Sequence, residues 1–165
     1  MAESSADAIK RGGALLSSGQ VIQSLRVFDD VLRLHPSTAP TLWQRGLALY
    51  YAGRFVEGAE QFETNMQVNG ADAEELIWRF ACDVHRPGVS FAQAGQRLRA
   101  LAKLRKEGDE RVPMEQLLLL FGGEEGSCSA AIRTVMETAR QAAPKAYGDA
   151  YGVEGVVGGV FQPVT

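Results

Sequence analysis

Residues 45–62 read RGLALYYAGRFVEGAEQF, and thirty-four places earlier residues 11–28 read RGGALLSSGQVIQSLRVF. Laid on one another, the two stretches put Arg11 on Arg45, Gly12 on Gly46, Ala14 on Ala48 and Leu15 on Leu49. Gly19 then falls on Gly53 and Phe28 on Phe62. Self-similarity at a fixed period of this size is what stacked helix–turn–helix units produce, because one unit alone cannot bury its apolar face. The spacing inside each unit is helical: Val27, Val31 and Leu34 recur at four and three, as do Phe55, Ala59 and Phe62.

The glycines and prolines punctuate the pattern. Gly19 and Gly53 fall between the two helices of a unit, where a residue without a β-carbon turns the chain sharply. Gly12 and Gly46 fall inside the first helix, where glycine costs up to about 1 kcal/mol relative to alanine. The spacing therefore predicts close approach of two helix backbones at these places. Pro36 is expected to stop the second helix of unit one, and Pro40 to begin the next helix.

A helix–glycine turn–helix unit of this length, with glycine at its eighth place and a large aromatic in its second helix, resembles the tetratricopeptide repeat. On that frame unit one covers about 5–38 and unit two about 39–72. Gly46, Leu49, Gly53, Phe55 and Phe62 of unit two stand on family positions. Unit one departs more, with Ser24 and Val31 in place of alanines and Ala8 where tryptophan is usual. The resemblance implies an all-α, right-handed solenoid.

A degenerate third unit is read over 73–105. Asp72 is its expected N-cap, with Glu75 three residues on, and Leu76, Ile77, Phe80 and Val84 form its apolar face. Phe80 holds the place of the packing glycine. Ser90 is expected to cap the second helix, with Phe91, Ala94, Leu98 and Leu101 turned inward. Beyond 105 the period is lost. Pro113 opens a short apolar helix that ends at Gly122-Gly123, and a second amphipathic helix follows from Ser127 or Ser129, with Ile132, Val135, Met136 and Ala139 on one side. The segment 106–145 is thus expected to be a helical C-terminal cap, since the open end of a solenoid must be closed. The tail 146–165 is rich in glycine and valine, and it exposes Val156, Val157 and Phe161 unless it packs on something.

Composition narrows the function. Apolar residues make up 45% of the 165-residue chain and charged residues 22%, as in ordinary globular proteins. A net charge of −3 argues against nucleic acid as the main partner. Two cysteines, Cys82 and Cys128, belong to no disulfide framework and read as reduced thiols. No apolar run reaches the roughly 20 residues that span a bilayer, and the N-terminus lacks a signal-peptide pattern. The expected setting is intracellular and soluble. A looser similarity of residues 40–125, through EELIWRF and VPMEQLLLLFGG, to tetratricopeptide proteins of plant and algal plastids points to an organelle.

Reactive constellations are missing from the sequence. Cys82 and His85 give a single C-x-x-H, short of the four ligands of a structural zinc site. No nucleophile elbow, phosphate loop or H-E-x-x-H occurs, so neither cofactor nor metal is expected. Arg11, Arg45 and Arg79 recur at the repeat period. They read either as an anion track or, preferably, as partners of carboxylates on neighbouring helices.

The resemblance implies a concave groove lined by the first helices of the units. On that frame Trp43, Leu47, Tyr50 and Tyr51 face it from unit two and Ile77 from unit three. A surface of Trp, Tyr and aliphatic groups suits an apolar helix or an extended peptide. The clamp of Lys, Asn and Arg by which some members hold acidic chaperone tails is absent: Ile9, Gly13, Gln44, Glu74 and Trp78 occupy those places. The expectation is a non-enzymatic interaction module, a resident subunit of a larger complex, with Val156, Val157 and Phe161 as a second contact. A transient assembly factor is the alternative, and an enzyme or regulatory subunit using Cys82 is the alternative from another class.

Overall fold

The computed structural model describes residues 3–70, 72–105 and 114–123. Among these the chain is all-helical. Helices α1 (Ser5–Ser17) and α2 (Val21–Leu34) form a first hairpin. A 3-10 helix at Pro36–Thr41 leads to α3 (Trp43–Tyr51) and α4 (Phe55–Asn69), and then to α5 (Ala73–Val84), α6 (Phe91–Ala102) and α7 (Met114–Gly122). Each helix packs on its neighbours in sequence, and α5 also touches α3 and α7. The second cap helix and the tail lie outside the described residues.

The first two hairpins repeat each other in detail. Each turn closes as a Schellman motif: Gly19 and Gln20 donate to the carbonyls of Leu16 and Leu15, and Gly53 and Arg54 donate to those of Tyr50 and Leu49. Gly19 and Gly53 have φ of 78° and 76°, the left-handed region that a β-carbon disfavours.

The helix-interior glycines serve a side chain rather than a backbone. A β-carbon at Gly12 would stand 2.7 Å from the Phe28 ring, and one at Gly46 would stand 2.7 Å from Phe62. The expected contact of two helix backbones is thus replaced by a phenyl ring lying flat on a bare helix surface. Phe28 and Phe62 are fully buried, and burying each ring contributes roughly 2–3 kcal/mol. Ser24 fits the same crowded space by donating its hydroxyl to the Gly12 carbonyl at 2.8 Å.

Pro40 does not open α3, as its spacing suggested, but lies inside the 3-10 helix. With prolines at 36 and 40, two amides of this segment are missing as donors. The amides of Thr38 and Leu42 reach back three residues, to His35 and Ala39, and α3 starts only at Trp43.

The third hairpin is capped as expected. Asp72 accepts from the Glu74 amide, and Ser90 forms a full capping box with Gln93. Leu76, Phe80, Ala94 and Leu98 are buried together with Met66 of α4 and Leu118 of α7. Phe91 departs from its expected inward position: it is 63% exposed, and its ring meets Phe80 at right angles, 5.3 Å away. Its place right after the cap puts it at the rim of the hairpin.

Candidate functional site

The aromatic face expected from the sequence is assembled by α3, α5 and the start of α4. Tyr50 is its centre. Its ring meets Trp78 edge-on at 5.3 Å, Tyr51 at 5.4 Å and Phe55 at 5.6 Å. His85 stacks on Phe55 at 4.7 Å, and its Nε2 lies 3.4 Å from the Tyr50 hydroxyl. Tyr51 also meets Trp78, at 6.1 Å.

The foundation of this face is buried. Leu47, Tyr50, Phe55 and Trp78 pack on a core of Ala59, Phe62 and Cys82, so the rings have little freedom left to lose on binding. Tyr51 projects outward and is 60% exposed. A rigid ring with an apolar face and a polar tip is well suited to a protein contact.

The structure divides the residues expected here. Leu47, Tyr50 and Tyr51 belong to the face. Trp43 begins α3, two turns from Tyr50 on the same stripe, and is 41% exposed, but it takes no part in these ring contacts. Ile77 is turned away: it packs against the core of the third hairpin with Val84. The reason is helical phase. Ile77 and Val84 are seven residues apart on one stripe of α5, while Trp78 and His85, one residue on, form the stripe that faces α3. Val156, Val157 and Phe161 lie outside the described residues. The spacing marks Phe55 only as a core position of its helix, and the adjacent Gly53 turn is the signal that folds it back against Tyr50.

Two of the three arginines at the repeat period, Arg45 and Arg79, form ion pairs between neighbouring units. Arg45 donates through Nε to Asp29 of α2 at 2.8 Å and through a guanidinium nitrogen to Gln61 of α4 at 3.1 Å. Arg79 reaches Glu63 of α4 at 3.4 Å and also pairs with Asp83. Asp29 and Glu63 are themselves thirty-four places apart. Arg11 bonds Glu3 through two nitrogens, at 2.9 and 2.7 Å, which holds the Glu3 carboxyl below its usual value.

Cys82 is fully buried, with its sulfur 3.0 Å from where a β-carbon on Gly58 would stand. Burial raises its pKa to about 12, so it stays a thiol at neutral pH; such a group is a poor nucleophile and a poor metal ligand. Among the described residues no group of three His, Cys, Asp or Glu side chains is placed to hold a metal ion, and no helix is long and apolar enough to cross a membrane.

Comparisons of the chain with protein-family models, with curated proteins and with solved structures return no match.

Proposed function

We propose that the chain is a tetratricopeptide-like solenoid and a non-enzymatic interaction module, held in a larger protein complex through its aromatic face. The single observation that carries this reading is the ring cluster of Tyr50, Tyr51 and Trp78. Its inner rings are anchored on core, and Tyr51 stands out into solvent. Exposed aromatic groups on a rigid base are the usual anchors of a protein interface, because they bury much area while few rotors are frozen. An apolar helix or an extended segment is the partner this surface suits.

Catalysis is not part of the proposal. The one described thiol is buried and protonated, and the repeat arginines are engaged with carboxylates, Arg45 and Arg79 between units and Arg11 with Glu3.

The test is the native mass of the chain in extract from its source, with the companions identified. A resident subunit elutes at a fixed high mass with constant companions, and a Tyr51→Ala, Trp43→Ala variant that folds normally leaves that fraction. Wild-type chain eluting alone, near the mass of one chain, overturns residence in a complex. Wild-type and variant eluting alike at high mass would remove the aromatic face as the contact.

A further inference from the structure

One ring of the aromatic face differs from the others in that it can take up a charge. His85 is the C-cap of α5 and is exposed. Its ring lies nearly parallel to Phe55, with 20° between the planes at 4.7 Å, and edge-on to Tyr50 at 5.8 Å. Histidine is the side chain that changes charge between about pH 5 and 8. The chain has two, and the other, His35, ends α2 in the first hairpin.

The neighbours of His85 decide what a proton there does. Tyr50 of α3 and Phe55 of α4 meet its ring. The acids beside it in sequence and beside Phe55 are engaged with arginines. Asp83 pairs with Arg79, Arg86 and Arg97, and Glu57 pairs with Arg54 at the start of α4. Beneath the face the Cys82 thiol stays protonated. A proton on His85 therefore puts net charge on the face, where the Phe55 ring and the carbonyl end of α5 accommodate it. It also changes the contact with Tyr50, whose hydroxyl lies 3.4 Å from Nε2: a neutral ring nitrogen can accept from that hydroxyl, and a protonated one only donates.

We propose that His85 makes binding at the aromatic face pH-dependent, so that mild acid releases the partner and neutral pH restores it. This rests on the reading of that face as the contact for an apolar segment. Such a segment covers a neutral imidazole at little cost. An imidazolium beneath it loses its water and gains no acid in return. The covered chain therefore takes up the proton less readily than the free chain, and binding weakens as pH falls. In the free chain the charge stands in water at a helix end, so the fold does not depend on it.

Two measurements test it. In the free chain, NMR spectra follow the ring signals of Tyr50 and Phe55 from pH 8 to pH 5. These should move together with the His85 signals and stay still in His85→Gln. Still signals in the wild type overturn the proposal, because the proton then does not reach the face. For the second, the tagged chain and its companions are isolated from source extract at pH 7.5 and washed at pH 5.5. The readout is retention at pH 5.5 relative to pH 7.5 within each protein, so a weaker contact in the variant cancels. Wild type should lose most of its companions, since one proton taken up on release weakens binding by up to about tenfold per pH unit. His85→Gln should keep those it holds at pH 7.5. Equal retention by the wild type at both pH values, or equal loss by wild type and variant, overturns the proposal. So does loss of the far-UV circular dichroism of the free chain at pH 5.5, which would make release an unfolding event. A wild-type chain without companions at pH 7.5 overturns the interaction reading itself, and the regulation with it.

Discussion

In the first two hairpins the small residue is on the leading helix and the ring on the trailing one: Gly12 lies under Phe28, and Gly46 under Phe62. In the third hairpin the roles are exchanged. Phe80 stands at the glycine's place on α5, and the trailing helix α6 supplies Ala94 and Gly95. The exchange also changes what Phe80 can reach, since it stacks on Phe121 of α7 at 5.2 Å. A β-carbon on Gly95 would come within 2.9 Å of the Phe121 carbonyl. The third hairpin thus receives a non-repeating helix where the first two receive another unit. Loss of the repeat glycine marks a change of neighbour as well as sequence decay.

The largest effects should come from the rings themselves. Phe62→Ala removes a fully buried ring and is expected to cost about 3–5 kcal/mol in urea unfolding. Phe80→Ala should cost a similar amount, but with a different signature. Amide exchange in α7 should accelerate more than in α1 and α2, because Phe80 joins α5 to α7. If both substitutions loosen α7 equally, the exchange of roles does not anchor that helix.

A second difference concerns charge. The place held by Leu15 and Leu49 is Asp83 in the third hairpin, 1% exposed. Three arginines surround it: Arg79, Arg86 at 3.1 Å and Arg97 at 3.5 Å. Truncating one partner of a buried pair leaves the other uncompensated, so Asp83→Ala should cost about 3 kcal/mol. Arg86 and Arg97 can turn to water, so the loss should fall mainly on Arg79. A melting series with Arg79→Met alone and combined with Asp83→Ala checks this: the double variant should be clearly more stable than the sum of the singles implies.

How much of this the sequence disclosed follows from what a period can carry. Repeated residues announced themselves: the Schellman turns, the Gly–Phe pairs and the arginine places all recur in register. The link between Asp29 and Arg45 was foreseen in kind but not in partner, because acids are common and only the fold brings this one near. Asp83, Gly58 against Cys82, and Phe80 against Phe121 were hidden, since each depends on a neighbour far along the chain. Tyr50, Tyr51 and Leu47 were legible as one helix stripe. Ile77 was misplaced by a single residue of helical phase, about 100°, which is enough to turn a side chain from one face to the next.

Gly46→Ala tests the close approach by its sign. On an exposed helix this change gains up to about 1 kcal/mol. Here the new methyl meets the Phe62 ring at 2.7 Å, and overpacking of a buried site should cost about 1–3 kcal/mol. Stabilisation would mean that the ring moves aside freely and that the glycine is not needed for packing.

Cys82 gives a smaller, pH-dependent effect. Its pKa is raised from 9.0 to about 12 by burial, so folded and unfolded chains both hold the proton below pH 9. Above that, the unfolded thiol ionises first and unfolding is favoured as pH rises towards 12. By pH 10 the wild type should have lost about 1 kcal/mol more than Cys82→Ala has, relative to pH 8. Parallel urea midpoints for the two proteins across that range would show the thiol to be hydrated.

Gly13→Ala should be the smallest change, and its direction is opposite. Gly13 is the immediate neighbour of Gly12 in α1, yet a β-carbon there meets nothing within 4 Å. Its helix propensity gain, about 0.5–1 kcal/mol, is then not offset by any clash. Two adjacent glycines in one helix should therefore respond with opposite signs, Gly12→Ala destabilising and Gly13→Ala stabilising. The backbone entropy removed from the unfolded chain is the same in both, so the difference between the two unfolding free energies isolates the contact with Phe28. A Gly13→Ala chain no more stable than wild type would show that something covers that side of α1.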